Sequence, residues 1–548
     1  MHIRLISAIV VATCLVVGPA HAGKTTGKKL IEYGCDNPDT AFVREHIAEM
    51  EKIPFDGVVI RVTDNPEAPF ESHTLGLEVF KGRKFEPSDY AHAIEDLKAT
   101  RFTTLTDNFI QLYPPYFGTI DWYDPNWSVV AHNAACLAKV AKEGGCKGLM
   151  LDPEMCDPNN WPLWWYAGRV KDKKDAPSFT DYAAKVRERG REFIRAVNKE
   201  YPDITFLMLY GSSLTYAETF YAWNGDGGLS LFGPFLDGMY EAATPGTRFT
   251  DGFEYSYGYR NFESFSAARK LQLSGGRSVS ACPKEFDQHA RVGFGVWIDY
   301  NGNGEGWHTD DFSKNYFTPD GLRASLNYAL RESDRYVWIW SEHFRWWPPV
   351  SAPKEYIDAL RLAKVGPGPG EKHPLKPKIT PEEAADFRAN NGNNRLFDTL
   401  RKGKTEVMDL MAESWRFARD EPDKGRKLGW YRPGFDDSAW RAMPIAKYWE
   451  ECGEDYDGYA WYRTKFTAPE IEAGKRVYLV AGAISDAAWF WLNGKPAGQR
   501  DLAINMWNTA FVLDVTGKLK PGANSLAIRV YNRTSCGGIW KPIKVMVE

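Results

Sequence analysis

Across residues 23–364, short apolar runs alternate with helical patterns, and few folds accept that alternation. Strand-like runs occupy residues 29–34, 56–62, 102–110, 148–152, 204–211, 252–257, 292–300 and 336–341. Each is brief and rich in apolar or aromatic residues, as strands covered on both faces must be. Helical patterns over 40–52, 87–99, 130–143, 179–200 and 319–331 fall between them. Eight strands with interposed helices predict an α/β fold, a closed (β/α)₈ TIM-type barrel. In such a barrel the reactive groups sit at the C-terminal ends of the strands.

The pattern stops at residue 365. The Gly/Pro/Lys run at 365–378 forms neither helix interior nor central strand. A short helix is expected over 381–404, completing a linker of residues 365–404. From residue 405 to 548 strands follow one another without helices, at 459–466, 476–480, 488–492 and 525–530, with Asn493-Gly494 as a hairpin signal. This predicts an all-β jelly-roll sandwich. Few contacts are expected to cross such a linker, which makes the sandwich separable.

Residues 1–22 read as a secretory signal. Arg4 gives the positive start, residues 5–17 the apolar stretch, and Ala20-His21-Ala22 the small-residue cleavage site. The mature chain is therefore expected to be periplasmic or secreted, with no membrane attachment after cleavage. Of eight cysteines Cys14 leaves with the signal, and the remaining seven fit no zinc spacing. Cys452–Cys536 is one pairing the spacing allows. The formal net charge of −4 provides no polyanion-binding surface, so no nucleic-acid partner is expected. The 21 tryptophans therefore point to sugars rather than bases, because a flat indole stacks on the C–H face of a sugar ring.

Several C-terminal segments occur in a characteristic order over residues 429–540. They are Gly429-Trp430-Tyr431, Phe435-Asp436-Asp437-Ser438-Ala439-Trp440, Ala460-Trp461-Tyr462-Arg463, Trp491-Leu492-Asn493-Gly494, Phe511-Val512-Leu513-Asp514-Val515-Thr516, Pro521-Gly522-Ala523-Asn524-Ser525-Leu526 and Gly537-Gly538-Ile539-Trp540. This part resembles the sugar-binding, galactose-binding-like jelly roll of family 2 glycoside hydrolases. The resemblance implies a carbohydrate-processing protein and speaks for this domain alone. The barrel resembles glycoside hydrolase barrels at the level of fold.

Carboxylates stand at several strand ends. Gly148-Leu149-Met150-Leu151 runs into Asp152-Pro153-Glu154. Two residues apart in extended backbone, the two acids point the same way. Mutual repulsion raises one of them, which suits it to protonate a leaving glycosidic oxygen. A helix cap or an acid bonded to Arg would use the same residues. The pair also resembles the end of the fourth-strand motif of family 18 chitinases, although residues 148–151 lack that motif's upstream acids. Glu254 lies among aromatic residues in Thr250-Asp251-Gly252-Phe253-Glu254-Tyr255, whose surroundings raise an acid. Glu154 is thus the candidate general acid, Glu254 the candidate nucleophile or base, and Asp152 their support. Candidate substrate-binding residues are Asp107 after the third strand, Tyr210 after the fifth, Tyr255, and Trp338, Trp340 and Glu342 at the eighth. Trp161, Trp164, Trp165, Trp346 and Trp347 sit in neighbouring loops, where stripes of this kind serve packing or binding.

The loop from Asp299 to Asp310 places oxygen ligands at Asp299, Asn301, Asn303 and Asp310 with Gly304 at the turn. The spacing follows a Ca²⁺ loop and also fits a plain polar turn. It predicts a structural ion at most, and no cofactor is required for the chemistry. The sequence carries no phosphate loop, serine nucleophile elbow or H-E-x-x-H. The expected function is hydrolysis of a poly- or oligosaccharide by two carboxylates. The alternatives are a carbohydrate-binding surface protein that lost its acids, and a polysaccharide lyase using Tyr255, His343 or Arg345.

Overall fold

The computed structural model describes residues 27–65, 74–114, 118–154, 163–171, 173–217, 229–301, 304, 306–366, 406–411, 413–485, 487–500, 511–532 and 537–547. The signal segment, the helix expected at 381–404, Trp161, Cys156 and Cys536 lie outside the described residues.

The first unit is a parallel barrel. Its strands are β1 (Lys29–Glu32), β2 (Gly57–Ile60), β3 (Phe109–Leu112), β4 (Gly148–Leu151), β5 (Thr205–Met208), β6 (Arg248–Asp251), β7 (Ala290–Val292 and Phe294–Trp297) and β8 (Tyr336–Trp340). β7 is a single strand interrupted at Gly293. Its first half pairs with β6 and its second half with β8, while β8 pairs with β1. That change of partner closes the ring. At the break the Gly293 N–H bonds the Asp251 carbonyl at 2.8 Å, and a Cβ there would meet Thr250 at 2.7 Å.

Four-residue strands such as Gly148–Leu151 are buried throughout, because helices cover their outer face and the barrel interior their inner one. The helix Phe179–Glu200 starts at Ser178, whose side chain caps the Asp181 N–H, and it buries Tyr182, Val186, Gly190, Phe193 and Val197. It crosses the helix Phe232–Ala242 where Gly190 and Gly238 let the two backbones touch. A Cβ on Gly190 would lie 2.2 Å from the Phe235 carbonyl oxygen, and one on Gly238 would lie 2.0 Å from that of Arg187.

Two strand positions differ from expectation. The third strand begins at Phe109, not at 102, because residues 103–105 give their N–H groups to the Glu51 carboxylate and form a loop. The sixth is Arg248–Asp251, and the aromatic run after it turns away at Phe253, whose φ is +42°.

The second unit is an antiparallel sandwich. Its strands are β9 (Glu406–Asp409), β10 (Arg416–Arg419), β11 (Arg441–Ala442), β12 (Gly458–Ala468), β13 (Val477–Ala481), β14 (Ala487–Leu492), β15 (Lys495–Arg500), β16 (Phe511–Asp514), β17 (Gly522–Asn532) and β18 (Ile543–Val547). The sheets run β9-β18-β13-β16 and β11-β10-β12-β17-β14-β15. Asn493 and Gly494, both at positive φ, make the two-residue hairpin between β14 and β15. Cys452 is a free thiol. Tyr478, Val480, Val512 and Met546 join the apolar cluster of the barrel. The two units meet through these four side chains.

Candidate active site

Three carboxyl groups meet at the C-terminal end of the barrel. Asp152 follows β4 directly and is buried. Its Oδ1 accepts the Glu154 N–H at 2.8 Å, and its Oδ2 accepts the Tyr33 phenol at 3.1 Å. Glu154 is half-buried beside it. Glu254 reaches the same space from the 3₁₀ turn Glu254–Ser256. That turn is held firmly. The Trp338 indole donates to the Gly252 carbonyl at 2.9 Å, the Phe253 N–H to Asp251 Oδ1 at 3.1 Å, and the Glu254 N–H to the Leu209 carbonyl at 3.2 Å. The left-handed backbone of Phe253 is costly for a bulky residue, and surroundings that over-determine it are typical of a functional turn.

The electrostatics follow from burial and like charge. Burial, followed by the charges of Glu154 and Asp152, holds the Glu254 carboxyl well above the usual carboxylate range. Hydrogen bonds from Tyr210 and Tyr257 act the other way. Asp152 is raised by burial and then by Glu154, and Glu154 is raised by burial. Acids this close release their protons as a group, so at least one proton stays bound towards neutrality. Glu254 Oε2 is buried with no hydrogen-bond partner. Buried oxygens are nearly always satisfied, so an orphan in a carboxyl cluster marks where a ligand or water hydroxyl belongs.

The structure thus brings Asp152, Glu154, Glu254 and Tyr210 together. Tyr255 is adjacent, its ring 5.4 Å from that of Tyr210. Tyr33 and Tyr257 were not singled out in the sequence, nor was Gln111, which hydrogen-bonds Tyr33. The only local signal is that Tyr33 and Gln111 fall on or just after short apolar strands.

Other expectations are corrected. Asp107 precedes β3, so it lies at the opposite end of the barrel from the carboxyls. There it accepts from Arg335 Nη2 at 2.8 Å and from the Tyr336 phenol at 2.9 Å, a structural ion pair. Trp338 is fully buried, its ring 5.9 Å from Tyr33 and 5.3 Å from Tyr257, so it supports the tyrosines and offers no face to a sugar. Trp164, Trp346 and Trp347 are likewise core residues. Trp340 is half-buried at the rim, and its indole donates to Glu342 Oε1 at 3.0 Å. His343 is exposed, and Arg345 lies beside Asp36.

The expected ion loop is organised differently. Asp299 is buried and accepts from the Trp297 indole at 2.7 Å and from the N–H groups of Glu342 and His343 at 2.8 and 2.6 Å. It ties the end of β7 to the loop after β8. Asn301 Oδ1 accepts the Gly306 N–H at 2.7 Å, and Asp310 projects from the surface with 85% of its side chain exposed. Asn303 lies outside the described residues. Among the described residues no group of three or more His, Cys, Asp or Glu side chains is arranged to hold a metal ion.

Fold and site together define a (β/α)₈ barrel with a buried carboxyl cluster, joined to an antiparallel all-β domain. Residues 425–535 match the family model of the β-galactosidase second all-beta domain, which bears out the expected likeness to the β-domains of family 2 enzymes. No curated protein matches the chain. Among solved structures, a β-glucuronidase from an uncultured Clostridium sp. is 22% identical, covering 26% of this chain and 29% of that one, with a TM-score of 0.23. A Ruminococcus gnavus β-glucuronidase is 20% identical over 26% and 29%, with a TM-score of 0.24. A calcium binding mutant of Bacteroides uniformis β-glucuronidase 2 is 24% identical over 26% and 18%, with a TM-score of 0.23. The chain spans less than a third of the length of each.

Proposed function

We propose that the protein is an exported glycoside hydrolase that cleaves a poly- or oligosaccharide with the carboxyls at its barrel mouth. The observation that carries this reading is the meeting of Asp152, Glu154 and Glu254 from two strand ends, all raised by burial. The matched β-galactosidase-type domain supports it. Among the described residues no helix is long and apolar enough to cross a membrane.

Glu154, the more accessible acid, donates its proton to the glycosidic oxygen as the bond to the anomeric carbon breaks. Asp152 beside it disfavours early loss of that proton. Glu254, beside the Tyr210 and Tyr257 phenols, is the ionised member of the cluster when Glu154 keeps the shared proton, and in that form it either attacks the anomeric carbon or takes a proton from the attacking water. Carboxyl separation decides between them: about 5 Å gives retention and about 6.5–9.5 Å gives inversion. A product screen on a polysaccharide panel tests the reading. New reducing ends are expected with the wild-type chain and not with Glu154→Gln. Products absorbing in the near ultraviolet would indicate elimination and a lyase instead.

A further inference from the structure

A cavity of about 330 Å³ opens at the same end of the barrel as the carboxyl cluster, in the range of small-ligand sites. Its walls come from the loop after β1 (Asp36, Asn37, Asp39), from Phe42 in the first turn of the helix Thr40–Met50, from Arg61 just past β2, and from Arg345 after β8.

Charge in the cavity is balanced. Arg61 Nη2 lies 3.1 Å from Asp39 Oδ2, and its Nε donates to the Asn37 carbonyl at 3.2 Å. Arg345 Nε lies 3.0 Å from Asp36 Oδ1. Two guanidinium groups thus face two carboxylates, so an anionic ligand would meet resident acids and gain little. One acceptor in the cavity is unmet. Asn37 Oδ1 is a buried oxygen without a hydrogen bond, whereas the Asp36 carboxylate is taken up by Arg345 and by the Trp346 and Trp347 N–H groups. A buried acceptor of this kind calls for an O–H group from a ligand. Half of the Arg345 side chain remains exposed, which leaves N–H groups for a ligand's oxygens. Phe42 adds an apolar wall. Hydroxyls that donate and accept around an apolar face describe a neutral sugar ring.

We propose that this cavity is a subsite for one neutral glycosyl unit of the substrate chain, away from the bond that is cleaved. The assignment of the unit to a substrate chain rests on the hydrolase reading. The cavity shares its strand end with the carboxyl cluster, since Tyr33, two residues before Cys35 in the cavity wall, donates to Asp152. A sugar held here would position a neighbouring linkage over Glu154 and Glu254.

Saturation-transfer NMR on the full mature chain tests this, with methyl β-glucoside and methyl β-galactoside as neutral probes and methyl β-glucuronide as the acidic one. At least one neutral glycoside is expected to bind. Asn37→Gly removes an orphan acceptor at a position whose φ of +24° glycine tolerates, and Phe42→Ala removes the apolar wall. Each is expected to weaken binding about tenfold. Binding by the glucuronide alone, by no neutral glycoside, or with wild-type strength in both variants would overturn the subsite. Should Phe42→Ala fail to fold, Asn37→Gly decides. Absence of turnover on every polysaccharide, with pocket-dependent binding intact, would remove the hydrolase reading and leave the subsite standing.

Discussion

The Tyr33 phenol donates to Asp152 Oδ2 across 3.1 Å, joining the end of the first barrel strand to the acid at the end of the fourth. Residues 119 positions apart in sequence are thereby made partners in one buried network. A hydrogen bond to the ionised form of a carboxyl favours ionisation, so this phenol restrains a group that burial and Glu154 push upwards. Tyr33→Phe is expected to raise the cluster's last proton release, moving the alkaline limb of kcat/KM to higher pH. The fold should lose about 1 kcal/mol. A pH–rate profile superimposable on that of the wild type would detach Tyr33 from the titrating group.

Glu154→Gln keeps the shape of the side chain and removes its transferable proton. Turnover is expected to fall by about 10²–10⁴, the contribution of a positioned general acid, with the thermal midpoint retained. Activity near the wild-type level would take Glu154 out of the mechanism.

Glu254→Gln tests the buried charge. The folded state raises this acid, so the folded chain holds a proton that the unfolded chain has released. Stability conferred on the wild type below the unfolded value, about 4.3, is lost as pH rises through the raised one. The variant does not titrate there. It is expected to be more stable than wild type at pH 8, by on the order of 1 kcal/mol, with the difference shrinking towards pH 4. Calorimetric melts across that range check it, and a difference independent of pH would contradict it.

Gly238→Ala tests the packing behind the site. Its Cβ would lie 2.0 Å from the Arg187 carbonyl oxygen, backbone that cannot swing aside. The helices Phe179–Glu200 and Phe232–Ala242 must then part, at a cost of about 1–3 kcal/mol. Urea unfolding measures this, and an unchanged midpoint would show that the helices separate freely.

The sequence by itself determined the alternation of strand and helix, the change to a β-sandwich, and the Asp152–Glu154 pair. These are local matters. A period of two residues at a strand end sets which way neighbouring acids point, and Asn493-Gly494 shapes its turn from its own backbone preferences. Tertiary structure decided the rest. Asp107 changed ends of the barrel because Glu51, 52 residues before the nearest of its partners, Thr103, turns residues 103–105 into a loop. Trp338 and Trp340, two residues apart, point to the same side of β8, and depth along the strand separated them: Trp338 is covered by Tyr33 and Tyr257, while Trp340, the last residue of the strand, is left half-buried at the rim. Asp299 became a tie between strand ends once the β8 loop brought its N–H groups to it. Tyr33, Tyr210 and Tyr257 joined the carboxyls only when the barrel closed, since closure alone sets which strand ends face one another.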